Sequence, residues 1–529
     1  MKRIGLFDGI LLAFATLFVL PTTAHAQSID ETINSAFALV TGPLVSFIFS
    51  PLPGTSFPWI VIWLFVAAVV FTLYFGFIQL RAFGLAVSLA KGDYARPGDT
   101  GEVSHFQALS TALSGTVGLG NIAGVAVAVS IGGPGATFWM ILAGFLGMAT
   151  KFTECTLGVK YRNEYPDGTV SGGPMYYLSK GLAERGFASA GRIMAVIFAC
   201  GCVLGALGAG NMFQANQVHA QLVNVTGGAE SFLSGQGWLT GLIMATVVFA
   251  VIVGGIKSIA KFAEKIVPLM AAIYLGAGFI IIGMHADQLG TAVSHIIEGA
   301  FTGLGVAGGV TGALIQGIRR AAFSNEAGLG SASIAHSAVR TKEPVTEGFV
   351  ALLEPFIDTV VICTTTALLI LVTGVLQFDA QTGLYVWNAE LGRIATEGNL
   401  TGVELTSAAF AKGISWFPYV LAVAVILFAF STMISWSYYG LKAWTYLFGE
   451  GRAKELTFNT MYCAFVVVGA AMNLSAVIDF ADAAIFAMAL INITGLYILM
   501  PVVKREMNSY LARLKSGEIQ KTKYLTRRA

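Results

Sequence analysis

Residues 114–124 read Ser-Gly-Thr-Val-Gly-Leu-Gly-Asn-Ile-Ala-Gly and lie inside an apolar run long enough to cross a membrane. A helix whose only task is to span lipid rarely has so many glycines, because non-helical backbone at membrane depth persists only where it is buried in protein or lines a cavity. Transporters use such breaks to expose backbone N–H and C=O groups to a substrate and an ion. This stretch is therefore the leading candidate for a binding site, and it favours solute transport over enzymatic chemistry.

The composition is that of a polytopic, all-α membrane protein. Hydrophobic residues make up 56% of the chain and charged residues 11%, whereas soluble domains have about 25% charged residues. The apolar residues fall into segments of about 20, the length that crosses a hydrocarbon core. The net charge of +2 gives no indication of a nucleic-acid partner. The five cysteines all lie in apolar segments and are expected to be buried thiols rather than disulfides or metal ligands: Cys155, Cys200, Cys202, Cys363 and Cys463.

The N-terminus is predicted to be a cleavable signal peptide, residues 1–26. Lys2 and Arg3 form a basic start, an apolar stretch follows, and Ala24-His-Ala26 supplies an A-x-A cleavage pattern. The alternative is an uncleaved first helix.

Eleven membrane spans are predicted after the signal. Cleavage would leave the mature N-terminus in the periplasm, and an odd number of spans would leave the C-terminus in the cytoplasm of a bacterial inner-membrane protein. The positive-inside rule agrees, since only Arg393 and Lys412 among the later basic residues fall in predicted outer loops. The spans lie near 59–80, 106–131, 136–158, 192–220, 238–256, 266–284, 296–318, 348–376, 416–446, 457–473 and 478–502.

Ten of these spans form two groups of five with opposite orientation, because five is odd. Glycines also interrupt the opening span of the second group, at Gly303, Gly305, Gly308, Gly309 and Gly312. Paired interrupted spans at matching positions of two halves indicate a binding site at the midplane. The predicted organisation is an N-terminal segment with one extra helix (27–105), a first repeat (106–285), an inverted second repeat (290–503) and a basic cytoplasmic tail (504–529).

The residues of the first break favour Na⁺ and a small zwitterion. From Gly115 to Asn121 there is no Asp, Glu, Lys, Arg or His, and a proton-coupled site would need a titratable group. The N-termini of half-helices suit a carboxylate, and freed carbonyls and hydroxyls suit Na⁺. Gly120-x-x-x-Gly124 is alternatively a helix-packing face. Gly118-x-Gly120 only faintly resembles a dinucleotide fingerprint and lacks the strand that should precede it.

The ninth predicted span carries candidate ion ligands. A carbonyl at Phe428 and hydroxyls at Ser431 and Thr432 would face one point and give three oxygen ligands. The alternative is that both hydroxyls bond back to their own helix.

Two carboxylates in the eighth span, Glu354 and Asp358, are functional candidates because charges in a span are costly. Arg319 or Arg320 is the expected partner in a structural or inner-gate ion pair, and a proton relay is the alternative. The outer loop at 377–415 is expected to be a lid over the outer vestibule rather than a passive connector.

Six stretches resemble the alanine/glycine:cation symporter family, and the resemblance covers nearly all spans from residue 59 onward. The last span departs from the family, because Asp479-Phe-Ala-Asp482 replaces an Asp followed closely by Asn-Gly. The six stretches are Gly115-Thr-Val-Gly-Leu-Gly-Asn-Ile-Ala-Gly124, Gly132-Gly-Pro-Gly-Ala-Thr-Phe-Trp-Met140, Gly147-Met-Ala-Thr-Lys-Phe-Thr-Glu-Cys155, Ser171-Gly-Gly-Pro-Met-Tyr-Tyr-Leu178, Phe323-Ser-Asn-Glu-Ala-Gly-Leu-Gly-Ser331 and Phe430-Ser-Thr-Met-Ile-Ser-Trp-Ser-Tyr-Tyr-Gly440.

This resemblance implies a LeuT-type fold of five plus five inverted helices and Na⁺-coupled uptake of alanine or glycine, with no organic cofactor. It implies that Leu119 and Gly120 offer N–H groups to the substrate carboxylate and that Gln214 contacts the amino group. Ser114 and Val117 would add carbonyls to the Na⁺ site of Phe428, Ser431 and Thr432, and Thr116 and Asn121 match positions that hold a second Na⁺ in some relatives. The expected substrate contacts are Thr116, Gly118, Leu119, Gly120, Asn121, Gln214 and Thr302.

Three other functions are weaker alternatives. A channel would need a symmetric pore lining or a selectivity ring, and a membrane enzyme would need a metal-spaced His or Cys cluster or a nucleophile–base pair, neither of which the sequence indicates. H⁺-coupled transport would use Glu354 or Asp358. The expected partners are a small neutral amino acid and the lipid bilayer, with no nucleic acid and no obligate protein partner.

Overall fold

The computed structural model describes residues 41–96, 98–253, 255–302 and 309–522. These residues are largely helical, and their named strands form three antiparallel hairpins of two residues per strand. Their buried apolar side chains form one continuous core. The predicted signal peptide, residues 1–26, lies outside the described residues.

The first half of the chain is built of apolar helices joined by short π-helical and 3₁₀ turns. Short helices cover Ile78–Arg81, Phe83–Ala90, Pro174–Tyr176 and Leu182–Glu184, π-helical turns cover Gly120–Gly124, Tyr177–Gly181 and Gly208–Met212, a 3₁₀ turn covers Gly228–Glu230, and β1 (Asn163–Glu164) pairs with β2 (Val170–Ser171). The longer elements are α1 (Trp59–Tyr74), α2 (His105–Thr116), α3 (Val125–Gly132), α4 (Gly135–Lys160), α5 (Ala188–Leu207), α6 (Phe213–Val225), α7 (Gly237–Ile252) and α8 (Gly255–Met284).

The second half is also mainly helical and contains the strands of the predicted outer loop. A short helix covers Leu353–Pro355, a π-helical segment covers Phe356–Cys363 and a 3₁₀ turn covers Glu397–Asn399, while β3 (Phe378–Asp379) pairs with β4 (Leu384–Tyr385) and β5 (Trp387–Asn388) with β6 (Arg393–Ile394). The helices are α9 (Ala286–Thr302), α10 (Gly309–Asn325), α11 (Ala332–His336), α12 (Pro344–Ala351), α13 (Thr364–Val372), α14 (Gly402–Gly413), α15 (Phe417–Phe448), α16 (Arg452–Ala471) and α17 (Leu474–Lys515).

The described residues contain six helices that are long and apolar enough to cross a membrane, or seven if the bent pair of α2 and 120–132 is one span. Two shorter apolar helices, α1 and α7, coincide with two more of the predicted spans. The protein is therefore a multi-pass membrane protein, and eleven spans remain a prediction.

The helix that leads into the first break begins at a well-defined cap. The Ser104 hydroxyl accepts a hydrogen bond from the Gln107 amide at 3.2 Å, and the Gln107 side chain accepts one from the Ser104 amide at 3.0 Å. This reciprocal pair satisfies two N–H groups that the first turn of α2 would otherwise leave free.

The first predicted break is confirmed. The helical segments 105–116 and 120–132 meet at an angle of 51°, and Val117 at the junction has ψ 87°, which is outside helical geometry. Every residue from Gly115 to Gly124 is buried. The non-helical backbone therefore lies inside the protein, as the membrane requires.

The predicted second break at 303–312 stays a prediction, because residues 303–308 lie outside the described residues. Helix α9 ends at Thr302, and α10 begins at Gly309, whose φ of 54° is outside helical geometry. Within the described residues, a second break lies at 326–331, between α10 and α11, where Glu326, Gly328 and Gly330 have φ of 58°, 92° and 85°.

The two breaks lie close to each other. A Cβ atom on Gly120 would lie 3.3 Å from Ser324 Cα, two residues before the second break. Helix α11, which follows that break, packs against α2 and α4. Residues beside both breaks therefore lie in one region of the protein interior.

The outer loop covers the first break. Within it, Thr406 on α14 donates its hydroxyl to the carbonyl of Ile122 at 3.0 Å, and the Val403 amide donates to Gln217 Oε1 at 2.9 Å. Val403, Leu405 and Phe410 are fully buried. The loop is therefore an integral part of the packing around the site, and its role as a lid stays a prediction.

The packing of α10 on α4, the most extensive helix contact of the described residues, generates a stability prediction. A Cβ atom on Gly317 would lie 2.7 Å from Trp139 Cβ and 3.0 Å from the Met140 amide nitrogen. Gly317→Ala should therefore destabilise the detergent-purified protein by about 1–3 kcal/mol, measured as a lower midpoint of thermal unfolding. Gly276→Ala is the control, because nothing lies within 4 Å of its Cβ position. An unchanged midpoint for Gly317→Ala would contradict this packing.

Candidate functional site

Hydrogen bonds link three residues of the predicted ion site, Ser114 on α2 and Phe428 and Ser431 on α15. The Ser114 hydroxyl donates to the carbonyl of Ser431 at 2.8 Å, and the Ser431 hydroxyl donates to the carbonyl of Phe428 at 2.9 Å. All three residues are fully buried. The bond from Ser431 to Phe428 is the back-bonding that the sequence left as an alternative, and ion coordination by this hydroxyl stays a prediction.

Thr432 completes this oxygen-rich wall. Its buried hydroxyl has no hydrogen-bond partner within the described residues, and a Cβ atom on Gly118 would collide with it. The hydroxyl therefore points at the break itself. Val117 lies in the break, and its amide donates to the carbonyl of Leu113 at 2.7 Å. Ser114, Val117, Phe428, Ser431 and Thr432 thus share one region that is lined by neutral oxygen atoms.

The amide groups of the first break are met by two carboxamide oxygens. The Gly118 N–H donates to Asn121 Oδ1 at 2.9 Å, and the Leu119 N–H donates to Gln214 Oε1 at 3.2 Å. The Gln214 side chain is fixed at its other end, where Nε2 donates to the carbonyl of Ala209 at 3.0 Å. Asn121 and Gln214 therefore offer the break what a carboxylate would offer, namely an acceptor oxygen for a freed N–H.

Asp358 lies directly behind the break. Asn121 Nδ2 donates to Asp358 Oδ1 at 2.6 Å, and the hydroxyls of Ser324 and Thr359 donate to Asp358 Oδ2 at 2.8 Å and 2.7 Å. All four residues are buried. Asp358 is therefore tied to the first break and to the last turn of α10 at once.

The predicted pairing of Arg319 or Arg320 with Glu354 or Asp358 is wrong. Arg319 Nη2 lies 2.7 Å from Asp482 Oδ2 on α17, and Arg320 contacts the same oxygen. Both arginines lie on α10, before the break at 326–331. Glu354 packs with α11 beyond that break, where its carboxylate lies 3.2 Å from Lys151 Nζ and 3.3 Å from His336 Nε2.

Two residues predicted to contact the substrate, Thr302 and Thr116, make hydrogen bonds to their own helices. Thr302 is exposed at the end of α9, and its hydroxyl donates to the carbonyl of Glu298 at 2.6 Å; no described hydrogen bond joins it to the first break. The hydroxyl of Thr116 bonds back to the carbonyl of Ala112 at 3.2 Å. The residues of the second half that do meet Gly120 are Phe323 and Ser324.

Sequence reasoning missed Ser324, Phe323 and Thr406 as residues of this region. Phe323 and Ser324 belong to the stretch 323–331, which carried the family resemblance. The sequence placed this stretch beyond the predicted break at 303–312. Thr406 lies in a polar loop, and nothing local in the sequence indicates that its helix folds back over the first break.

Comparison with known proteins gives the family. The sequence profile described as "Sodium:alanine symporter family" matches residues 44–524. The "Sodium/alanine symporter AgcS" of Methanococcus maripaludis is 38% identical over 86% of this chain and 94% of its own length. The "Probable sodium/glutamine symporter GlnT" of Bacillus subtilis is 34% identical over 85% of this chain and 87% of its own length.

A solved structure shares the fold at low sequence identity. The crystal structure of MhsT in complex with L-phenylalanine superimposes with a TM-score of 0.51 and 14% identity, over 74% of this chain and 89% of that chain. The predicted LeuT-type architecture agrees with this similarity. Together with the match of the sequence profile over nearly the whole chain, these findings show that the protein belongs to the sodium:alanine symporter family.

Proposed function

We propose that the protein is a secondary active symporter that couples inward Na⁺ flux to uptake of a small neutral amino acid, alanine or glycine, by alternating access. The observation that carries this proposal is the first break, where the Gly118 and Leu119 amides meet acceptor oxygens beside a wall of hydroxyls and carbonyls. Freed amide groups suit the carboxylate of a zwitterionic substrate, and hydroxyl and carbonyl oxygens suit a cation. A symporter needs both kinds of partner close together. Relatives named as sodium/alanine and sodium/glutamine symporters support the same pair of ligands.

The proposed Na⁺ site consists of the Ser114 and Val117 carbonyls, the Phe428 carbonyl and the hydroxyls of Ser431 and Thr432. Its support is the absence of charge among these five residues, because hard, weakly charged cations take oxygen ligands of this kind. The unpartnered Thr432 hydroxyl adds support, since a buried polar group without a partner costs about 1–3 kcal/mol and a bound cation would remove that cost. Na⁺ is the co-transported ion in this proposal, and no organic cofactor takes part.

The proposed substrate site uses the amide groups of Leu119 and Gly120 for the carboxylate. In this arrangement the carboxylate displaces Gln214 Oε1 from the Leu119 N–H, and the freed Gln214 oxygen accepts a hydrogen bond from the substrate ammonium group. Gly118 and Gly120 keep the site small, since side chains there would meet Thr432 and Ser324. Bulky substrates such as leucine are excluded on this basis.

H⁺ coupling through Asp358 is the second candidate. The observation that favours it is the direct bond of this buried carboxylate to Asn121 of the first break, because intramembrane carboxylates commonly carry protons. A relative from Bacillus subtilis, 33% identical over 84% of this chain and 88% of its own length, is described as a "Putative sodium/proton-dependent alanine carrier protein". Na⁺ is preferred here because the five proposed Na⁺ ligands carry no titratable group.

We further propose that the protein resides in a bacterial inner membrane, with its mature N-terminus in the periplasm and its tail at 504–529 in the cytoplasm. The support is the distribution of Lys and Arg over the predicted loops. The proposed repeats are 106–285 and 290–503, and the proposed break that opens the second repeat lies at 303–312. A channel or an enzyme has no comparable support.

Uptake of radiolabelled alanine into proteoliposomes tests the function. An imposed Na⁺ gradient should drive accumulation that glycine competes and leucine does not, and an H⁺ gradient alone should not. Asp358→Asn should lower Na⁺-driven uptake without abolishing it, because the amide preserves size but not charge. Uptake in the unmodified protein that follows only the H⁺ gradient, and that Asp358→Asn abolishes, would replace Na⁺ coupling by H⁺ coupling.

The proposed ion site predicts a specific change in Na⁺ dependence. Ser431→Ala removes one oxygen ligand and should cost about 1.5 kcal/mol of ion binding, which raises the Na⁺ concentration for half-maximal alanine uptake about tenfold. Thr445→Ala is the matched control, since this hydroxyl on the same helix bonds back to the Lys442 carbonyl and should leave the value unchanged. Equal Na⁺ dependence in both variants would exclude Ser431 as a ligand.

The size of the substrate site predicts the effect of a single methyl group. In Gly120→Ala the new methyl lies 3.3 Å from Ser324 Cα, and the overpacking should weaken alanine binding about tenfold or more. The Cβ position of Gly124 meets only the Leu119 carbonyl, at 3.9 Å, so Gly124→Ala should bind alanine as the unmodified protein does. Retained affinity in Gly120→Ala, measured by calorimetry in saturating Na⁺, would contradict the location of the site.

A further inference from the structure

The last helix of the protein is longer than a membrane span. Helix α17 has 42 residues, whereas about 20 residues cross a hydrocarbon core. The predicted span ends at residue 502, and the described chain continues to residue 522. Residues 503–522, here called the strap, lie on the side of the membrane where the sequence predicts the cytoplasm.

The first half of the strap packs on α12. Arg513 Nη2 donates to Glu343 Oε2 at 2.5 Å, and Glu343 is the residue that directly precedes α12. One turn before Arg513, the ring of the buried Tyr510 lies 6.0 Å from the ring of Phe349 on α12, measured between centroids. An ion pair and a buried aromatic contact therefore join the strap to α12.

The end of the strap is bound to the chain that leads into α2. Lys521 Nζ lies 2.7 Å from Asp93 Oδ2, and the Thr522 amide donates to the Asp93 carbonyl at 2.8 Å. The Thr522 hydroxyl donates to the Ala95 carbonyl at 2.7 Å. Residues 93–95 belong to the connector between the short helix Phe83–Ala90 and α2. The strap therefore ties α12 to this connector.

Helix α12 and the connector both hold the start of α2. His105, the first residue of α2, contacts Glu347 on α12. In the connector, the Glu102 amide donates to the Ala338 carbonyl at 2.8 Å. Only 6% of His105 is exposed, so this end of α2 is closed off from solvent by the elements that the strap joins.

The start of α2 is the natural moving part on this side of the protein. Ser114 of the proposed Na⁺ site lies on α2, and the helix ends at Val117, whose ψ of 87° is not helical. A break of this kind lets α2 move as a separate segment. Movement of α2 away from α12 would open a path from the site to the cytoplasm, and it must break the contact between His105 and Glu347.

The ion pairs of the strap suit a contact that forms and releases. The Arg513 and Glu343 side chains are 32% and 30% exposed, and exposed pairs change an equilibrium by only about fivefold or less. Salt screens exposed pairs strongly and buried pairs much less. The fully buried pair of Lys151 and Glu354 is therefore a permanent contact, whereas the strap responds to ionic strength.

We propose that residues 503–522 are a regulatory strap: the pairs Arg513–Glu343 and Lys521–Asp93 tie α12 to the connector and hold the cytoplasmic end of α2 closed, and rising ionic strength releases it. That this release speeds delivery of Na⁺ and substrate to the cytoplasm rests on the proposed symport function. The effect of the strap on α2 itself does not depend on that function.

Hydrogen–deuterium exchange of peptides covering residues 105–113, in the detergent-purified full-length protein, tests the strap. Arg513→Glu sets two carboxylates against each other and should speed this exchange about three- to tenfold. Glu343→Arg should do the same, and the double variant should return the rate to within about twofold of the original, because the exchanged charges restore the pair. Lys521→Asp with Asp93→Lys is a second charge exchange that serves if Arg513→Glu does not fold.

Arg505→Glu is the matched control. Arg505 is exposed on the same helix and makes no ion pair within the described residues, so exchange at 105–113 should not change. Raising KCl from about 0.1 M to about 1 M at constant Na⁺ shortens the electrostatic range from about 10 Å to about 3 Å. It should speed exchange about twofold or more in the unmodified protein, but not in Arg513→Gln combined with Lys521→Gln, which lacks both pairs.

The outcomes separate the strap from the proposed function. Faster exchange in each single variant and its reversal in the double variant support the strap, even if alanine uptake proves independent of Na⁺. Unchanged exchange in Arg513→Glu and Glu343→Arg overturns it, even if uptake is Na⁺-driven. Failure of the double variant to restore slow exchange also overturns it, because the effect would then come from disturbing these positions rather than from the pair. Thermal unfolding checks that each variant is folded.

Discussion

Backbone N–H groups that a broken helix frees at membrane depth must find acceptors inside the protein, and this requirement organises the region around Gly115–Gly124. Asn121 and Gln214 meet it from within the chain, by accepting from the amides of Gly118 and Leu119. The same requirement explains why α14 of the outer loop folds over the break, where Thr406 donates to the Ile122 carbonyl. A ligand with a carboxylate can replace a carboxamide here at little cost, because it supplies the same acceptor.

Two groups of buried charged side chains flank the break at 326–331. Before it, Arg319 and Arg320 on α10 contact Asp482 on α17. After it, a network of Lys151, His336 and the carboxylates of α12 and the following turn joins α4 to α11, and His105 adds α2 by contacting Glu347. Removing one partner of a buried ion pair is costly, so each group ties together the helices that carry its members. In the proposed transport cycle these contacts are the natural candidates for the two gates.

Much of the site could be predicted from the sequence, because its signals are local. The glycines at 115–124 marked the first break, and the spacing of Phe428, Ser431 and Thr432 marked one face of α15. Contacts between residues that lie far apart in the sequence could not be predicted. The partner of Glu354 is Lys151, some two hundred residues away in the chain, and Asp358 reaches Asn121 only because the π-helical segment Phe356–Cys363 lies beside the break. The break at 326–331 was not predicted, because its glycines are interleaved with Glu326 and a charge within an apolar span resembles a loop.

The central claim is that substrate and Na⁺ bind side by side at the first break and therefore strengthen each other's binding. The most direct test is the dissociation constant of alanine for the detergent-purified protein, measured by calorimetry in Na⁺ and in an equal concentration of N-methylglucamine. The account predicts that alanine binds at least about tenfold more tightly in Na⁺, a coupling of about 1.4 kcal/mol or more. Equal affinity in the two media would contradict it.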